Sequence, residues 1–286
     1  MVEFGIRLVN FVIYHLWQIL PVDFASGIGA FLVRIISRKF YRTTAATRTT
    51  LLRIHPDLSA ADLDRLLFNM WQNIGRVWAE SLITQRLARQ RLEVTGIEHV
   101  KSAMDAGRPV IVPFLHIGNW EIIIHVLAAR GAVMNSIAEV QKGTIFDHIL
   151  NQTRSSNKLN VIKPDFAGKR KIYQSLQRGE MLGIALDEFK NGKVWGPGFG
   201  RSFSESTNLD YLLHMAKKFK AVLLPMYLIR TQGVNFHLYI SPPVSPDLLR
   251  DSAGEARLRQ DLENWRESTV RSHIDQWYML HHLRFQ

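Results

Sequence analysis

The sequence predicts an α/β chain, a mixed sheet flanked by helices, preceded by an N-terminal membrane helix or helical hairpin. Three observations predict it. Short apolar runs of strand composition alternate with stretches of helical periodicity along most of the chain. At 286 residues, 47% hydrophobic and 21% charged, the chain can bury a sizeable core. Its first 40 residues are far more apolar than the remainder, which divides it into a membrane-anchoring segment, 1–40, and a body, 41–286.

Residues 4–20 form the first apolar run, long enough as a helix for only ~26 Å, slightly short of a bilayer core. Arg7, Asn10, Tyr14 and Gln18 recur at helical steps and draw a polar stripe along it. A helix lying in the headgroup plane fits this as well as a spanning one. Residues 22–36 form the second run. Arg34, Arg38, Lys39, Arg42, Arg48 and Arg53 follow, with no acidic residue between Asp23 and Asp57. Such a collar favours anionic membrane lipids and a cytoplasmic orientation. The alternative is a buried helical hairpin with a solvated basic turn.

Further on, Ser59-Ala60-Ala61-Asp62 reads as a helix start. Leu63, Leu66, Leu67, Met70, Ile74, Val77 and Trp78 continue that helix to about Thr84. A strand is expected at 109–115, a helix at 120–129 stopped by Gly131, and a strand at 133–138. Then come a helix at 144–155, a strand at 159–162, a basic helix at 168–177 and a strand at 181–186. Residues 187–207 read as a polar, Gly-rich loop. A helix at 208–219, strands at 221–229 and 234–240 and a helix at 255–274 complete the chain. In such a sheet the ligand crevice lies at the strand ends.

Composition narrows the function classes. The formal net charge of +11 points to a polyanionic partner: nucleic acid, an anionic lipid surface or an acidic carrier protein. Zero cysteines exclude a thiolate nucleophile, a zinc ribbon and any disulfide. No Walker phosphate loop, Gly-x-Ser-x-Gly elbow or His-Glu-x-x-His pattern is present, so neither a cofactor nor a metal is expected. A nucleic-acid partner is disfavoured by the apolar amino terminus and the lack of a recognised module.

The chemistry concentrates at His116-Ile-Gly-Asn-Trp-Glu121, where the strand 109–115 ends. A His-x4-acid pair alone says little, since 11 His and 25 acids in 286 residues give roughly one by chance. Context raises it: a strand, a histidine, a Gly118-Asn119 reversal, then Trp120 and Glu121 entering a helix. If His116 stays in the turn and Glu121 points back at it, the carboxylate fixes the tautomer. The other ring nitrogen then takes a proton from a hydroxyl. The plainer alternative is a satisfied histidine capping a strand end.

In this setting the motif resembles the His-x4-acid acyltransferases, specifically the late lipid A acyltransferases of the lauroyl/myristoyl family. The resemblance extends to the apolar start and basic collar, to Val94-Thr-Gly-Ile-Glu98 and to Arg154-Ser-Ser-Asn157-Lys158. It also takes in the strand ending at Asp187, the loop 195–200 and the His281-containing terminus. The terminus departs from the pattern, with Met279 where tryptophan is common and Leu283 interrupting the basic pair. The resemblance implies a glycerolipid-acyltransferase-like fold at the cytoplasmic face of the bacterial inner membrane. It also implies transfer of a fatty acyl chain from a thioester to a hydroxyl of a phosphorylated glucosamine lipid. His116 would be the base and Glu121 its orienter. Backbone amides of Gly118 and Asn119 are candidate oxyanion donors. Arg154 would bind a phosphate or the donor's carbonyl, or pair with Glu121. Asp187 would orient substrate or brace Arg154, or serve as a turn residue.

Two basic runs, Lys169-Arg170-Lys171 and Lys217-Lys218 with Lys220, are candidates for docking an acidic acyl carrier protein as acyl donor; solvated helix faces are the alternative. Trp71, Trp78, Trp120, Phe189, Trp195, Phe199 and Phe203 are candidates for an apolar groove. Two rivals stand beside this reading. One is an acyltransferase for another membrane glycolipid or phospholipid precursor. The other is a non-catalytic, basic, membrane-associated binding protein, against which the His116 motif at a strand end argues.

Overall fold

The computed structural model describes residues 12, 14–138, 154, 159–203 and 205–285. Nine named helices and ten strands are drawn from these. α1 (Val22–Ser37) and α2 (Tyr41–Ile54) lead into α3 (Ala60–Glu80), whose start is capped by the Ser59 hydroxyl accepting from the Asp62 amide at 3.1 Å. α4 (Thr84–Gln90), β1 (Leu92–Thr95), α5 (Glu98–Asp105), β2 (Val110–Phe114) and α6 (Ile123–Ala128) follow. Then come β3 (Met134–Ile137), β4 (Leu159–Ile162), α7 (Phe166–Gln177) and β5 (Met181–Ala185). The chain continues through β6 (Phe189–Lys190), β7 (Lys193–Val194), α8 (Asn208–Phe219) and β8 (Val222–Leu223). β9 (Met226–Gln232), β10 (Asn235–Ile240) and α9 (Ser252–Ser272) complete the fold.

The expected mixed sheet divides in two. A five-stranded sheet in the order β4-β3-β5-β2-β8 is parallel throughout, while a three-stranded sheet β1-β10-β9 is mixed. Both faces of the parallel sheet are covered, which explains why β2 reads as an unbroken apolar run and is buried at every position. One core packs Ile172 and Leu176 of α7, Leu209, Leu212 and Leu213 of α8 and Leu258 and Leu262 of α9 beneath it. The other packs Leu87, Val100, Ile123 and Leu127 with Phe236 and Leu238 of the small sheet.

The run expected as one strand over 221–229 is two, β8 and β9. Leu224 still donates to the Ile111 carbonyl at 2.9 Å, but Pro225 has no amide to offer and the strand passes into the other sheet there. The 187–207 loop contains the small hairpin β6-β7. Strand β1 and helices α2, α4 and α5 are additions to the expected elements. The expected helix at 144–155 lies outside the described residues except at Arg154, and most of the 4–20 run does too.

α1 is packed into the body against α3. Gly29 and Gly75 are the point of closest approach, since a Cβ on either would meet the other's carbonyl oxygen at 2.2 Å. No helix among the described residues is long and apolar enough to cross a membrane. The outer face of α1 nevertheless exposes Phe24, Phe31, Leu32, Ile35 and Ile36.

Candidate active site

Strand register builds the site. β2 and β5 are parallel neighbours with Phe114 opposite Ala185, and the Leu186 amide donates to the Phe114 carbonyl at 3.0 Å. Two residues beyond that pair on each strand stand His116 and Asp187, side by side at the carboxyl edge of the sheet. The His116 ring Nδ1 lies 2.9 Å from Asp187 Oδ1, and the His116 amide donates to Asp187 Oδ2 at 2.8 Å. Trp277 Nε1 donates to the same oxygen at 2.8 Å. Asp187 is completely buried. A carboxylate accepts and cannot donate, so the proton of the imidazole sits on Nδ1 and Nε2 presents its lone pair. Trp120 meets the ring edge-on at 4.6 Å and Phe114 at 5.6 Å, which restricts its orientation.

The partner of His116 is thus Asp187, not Glu121. Glu121 lies in a short 3-10 turn, Trp120–Ile122, and is engaged by Arg154 through a bidentate pair: Nε donates to Oε2 at 3.0 Å and Nη2 to Oε1. Five residues of this path do not bring Glu121 back onto the imidazole because Gly118 and Asn119 turn the chain away into the fold.

Gly118 corrects the expectation in the same sense. The Gly118 amide donates to the Gln276 carbonyl at 3.3 Å and so is not aimed at a substrate oxyanion. Its φ is +61°, and a Cβ there would lie 2.6 Å from the Leu228 carbonyl oxygen, so glycine is required for the turn. The Asn119 side chain is buried and donates to Glu80 Oε2 at 3.1 Å. Neither residue lines the adjoining cavity.

Residues absent from the sequence expectations hold this turn. Glu80, fully buried at the end of α3, receives Arg230 Nη1 at 2.7 Å and Nη2 at 2.8 Å, and the Ser26 hydroxyl at 2.6 Å. Burial pushes the Glu80 carboxyl up, but the Arg230 charge and the hydrogen bonds from Arg230, Ser26 and Asn119 outweigh it and hold it below the ordinary carboxylate range. The C-terminal segment clamps the other side: the Tyr278 amide donates to the His116 carbonyl at 2.8 Å, and Ile117 bridges Trp277. Glu80 did carry a signal, an acid three residues past Val77 on the stripe of Leu63, Leu67, Met70 and Ile74. Trp277 carried none.

His116 opens onto a cavity of about 520 Å³. Glu121 and Arg154 line it, with Ile124, Met134, Ile137, Leu159 and Val161 as an apolar wall. Trp120 and Phe189 line it too, whereas Trp195, Phe199 and Phe203 line a second cavity and Trp71 and Trp78 neither. Glu188 sits at its rim, where burial raises its carboxyl despite the Asn208 amide donating to it at 2.9 Å.

None of the basic-run residues lines the cavity onto which His116 opens. Lys169, Arg170 and Lys171 are exposed on α7, and Lys217, Lys218 and Lys220 close α8. Lys218 Nζ donates to the Tyr173 hydroxyl at 3.0 Å and Tyr173 packs on Phe219 at 5.1 Å, so the two helices present one basic face. Lys217 is paired with Glu255 at 2.7 Å. Among the described residues no group of three or more metal-ligating side chains occurs.

The family model described as bacterial lipid A biosynthesis acyltransferase matches residues 1–286. Among solved structures, the chain is similar to the 1-acyl-sn-glycerophosphate (LPA) acyltransferase PlsC from Thermotoga maritima. The identity is 15%, with 83% of this chain and 97% of that one covered, at a TM-score of 0.41. The search of curated proteins gave no match.

Proposed function

Because the chain belongs to the bacterial lipid A biosynthesis acyltransferase family, we propose that it moves a fatty acyl chain from an acyl carrier protein thioester to a hydroxyl of a phosphorylated glucosamine lipid, with His116 as general base. The observation that carries this reading is the His116–Asp187 contact of 2.9 Å at the mouth of an apolar-walled cavity. His116 Nε2 takes the acceptor hydroxyl's proton as its oxygen attacks the thioester carbonyl. The tetrahedral oxyanion collapses, the carbon–sulfur bond breaks, and the imidazolium returns the proton to the departing thiolate. Asp187 keeps the ring in the required tautomer and stabilises the imidazolium. Trp277 and the His116 amide in turn orient Asp187.

Glu121 and Arg154 act in this reading as a wall of the substrate cavity rather than as proton carriers. Ile124, Met134, Ile137, Leu159 and Val161 along the apolar wall receive the acyl chain. The basic face of α7 and α8 supports docking of an acidic carrier, since charge complementarity mainly raises the encounter rate. The exposed apolar face of α1 beside Arg34, Arg38, Lys39 and Arg42 supports attachment in the headgroup plane of the inner membrane's cytoplasmic leaflet.

The test is reconstituted transfer, with acyl carrier thioester and a phosphorylated glucosamine lipid, followed by mass spectrometry of the acceptor. The wild-type chain adds one acyl mass, and His116→Ala, folded and membrane-bound, adds none. Unimpaired transfer by His116→Ala would end the proposal.

A further inference from the structure

A second cavity, of about 720 Å³, adjoins the first. Asn191, in the β6-β7 hairpin, lines both, and Phe189 from the first stacks on His282 from the second at 4.3 Å. Arg53, Lys193, Arg201, Arg284 and His282 line it, and among the described residues no aspartate or glutamate does. Several arginines elsewhere on the surface are matched with acids: Arg91 with Asp23, Arg250 with Asp247, Arg259 with Asp210 and Arg271 with Glu267. Among the described residues, Arg53, Arg201 and Arg284 have no such partner.

The cations are held in place rather than left to drift. Arg201 donates to the carbonyls of Val194, Pro197 and Gly198 at 3.2, 2.8 and 3.0 Å. The Phe285 ring has the Arg53 guanidinium at 5.0 Å and that of Arg201 at 5.5 Å. Burial, and then Arg266, lower the Arg201 pKa, and burial lowers that of Arg284. His282 is lowered by burial and by Arg284. The shifts of Arg201 and Arg284 go with guanidinium charge that no acid in the cavity wall offsets, and the lowered His282 offers a neutral ring there rather than a further cation. Guanidinium forks reaching one space from α2, from the loop after β7 and from the C-terminus suit a tetrahedral, multiply charged oxyanion better than a planar carboxylate, which one fork satisfies.

We propose that this cavity is a phosphoryl-binding subsite, gripping a phosphate on one of the two substrates while the reacting atoms lie at His116. Assigning the phosphate to a substrate rests on the acyl-transfer reading; the existence of the site does not. Two sources share the chemistry: a phosphate on the glycolipid acceptor, and the phosphodiester of the carrier's prosthetic arm.

The test uses the full chain in detergent and the Arg53→Gln/Arg284→Gln variant, both positions being exposed and outside the core. In the first arm, inorganic phosphate replaces chloride at constant ionic strength. The melting temperature of the wild type rises with phosphate, and the variant loses at least half of that rise. Equal responses, or no response specific to phosphate, overturn the site whether or not the enzyme turns over.

The second arm is kinetic. The variant's KM for the phosphate-bearing substrate rises about tenfold per guanidinium removed, which is the factor for about 1.4 kcal/mol. If the phosphate is the acceptor's, the gap between wild type and variant closes on a phosphatase-treated acceptor. If it is the donor's, the gap closes with an acyl N-acetylcysteamine thioester, which lacks the phosphodiester. Identical kinetics of the two proteins on every pair overturn the substrate assignment. Phosphate binding without any turnover by the wild type would instead count against the acyl-transfer reading.

Discussion

Glu80→Ala is expected to destabilise the protein severely although Glu80 lies outside the substrate cavity. The substitution leaves Arg230, with 8% of its side chain exposed, without its bidentate carboxylate. Breaking one side of a buried pair costs about 3–5 kcal/mol. Arg230 keeps the Gly233 carbonyl at 2.8 Å and Asn73 Oδ1 at 3.1 Å, which places the loss near the lower figure, about 3 kcal/mol. For a chain of this size that corresponds to a fall of roughly 6–12 °C in Tm. Replacing both partners, Glu80→Leu with Arg230→Met, removes the stranded charge and should cost less than Glu80→Ala alone. Because the Glu80 carboxyl is held below its ordinary value of 4.5, its contribution is present above that pH and is lost as pH falls through the folded value. Stability measured against pH should therefore lose part of its acid limb in Glu80→Gln. A fall in Tm below about 2 °C in Glu80→Ala, with an unchanged acid limb, would refute the reasoning.

Gly118→Ala places a methyl group against the Leu228 carbonyl at a positive φ, and should cost about 2–3 kcal/mol in chemical denaturation while lowering kcat through its neighbour His116. Charge reversal at Lys169, Arg170 and Lys171 should raise KM for the carrier thioester by about threefold or more with kcat unchanged, and added salt should imitate this in the wild type. Replacing Phe24, Phe31 and Ile35 by Ser should release the chain from vesicles in a flotation assay, since each buried apolar side chain is worth about 1.5–3 kcal/mol. High salt alone should not release the wild type, because apolar burial is unscreened.

Much of the sheet was legible because its strands are short apolar runs with helices between them; α8 over 208–219 and β4 over 159–162 stand where periodicity put them. The break at Pro225 was written in the sequence too, but a proline inside an apolar run shows only that pairing fails there, not that the strand changes sheets. His116 was legible as a strand-end histidine. Its partner was not, because strand order is a tertiary property: Asp187 meets His116 only since β5 lies beside β2 in register, 71 residues apart in the chain. The local motif drew attention to Glu121, the nearest acid in sequence, while the turn at Gly118-Asn119 directs that acid to Arg154. Trp277 and the clamp on the His116 turn come from the far end of the chain, where no local pattern marks them.

The most direct test of the account is a double-mutant cycle on transfer rate between His116→Ala and Asp187→Asn, with Glu121→Gln as the third variant. If Asp187 and His116 act as one unit, Asp187→Asn alone should lower kcat by about 10²–10⁴, and adding it to His116→Ala should cost little more. Glu121→Gln should lower activity by a factor that persists when it is combined with Asp187→Asn, because it acts through the cavity wall and not through the imidazole. Near wild-type kcat in Asp187→Asn, or a cycle in which Glu121 rather than Asp187 fails to add to His116, would contradict the account.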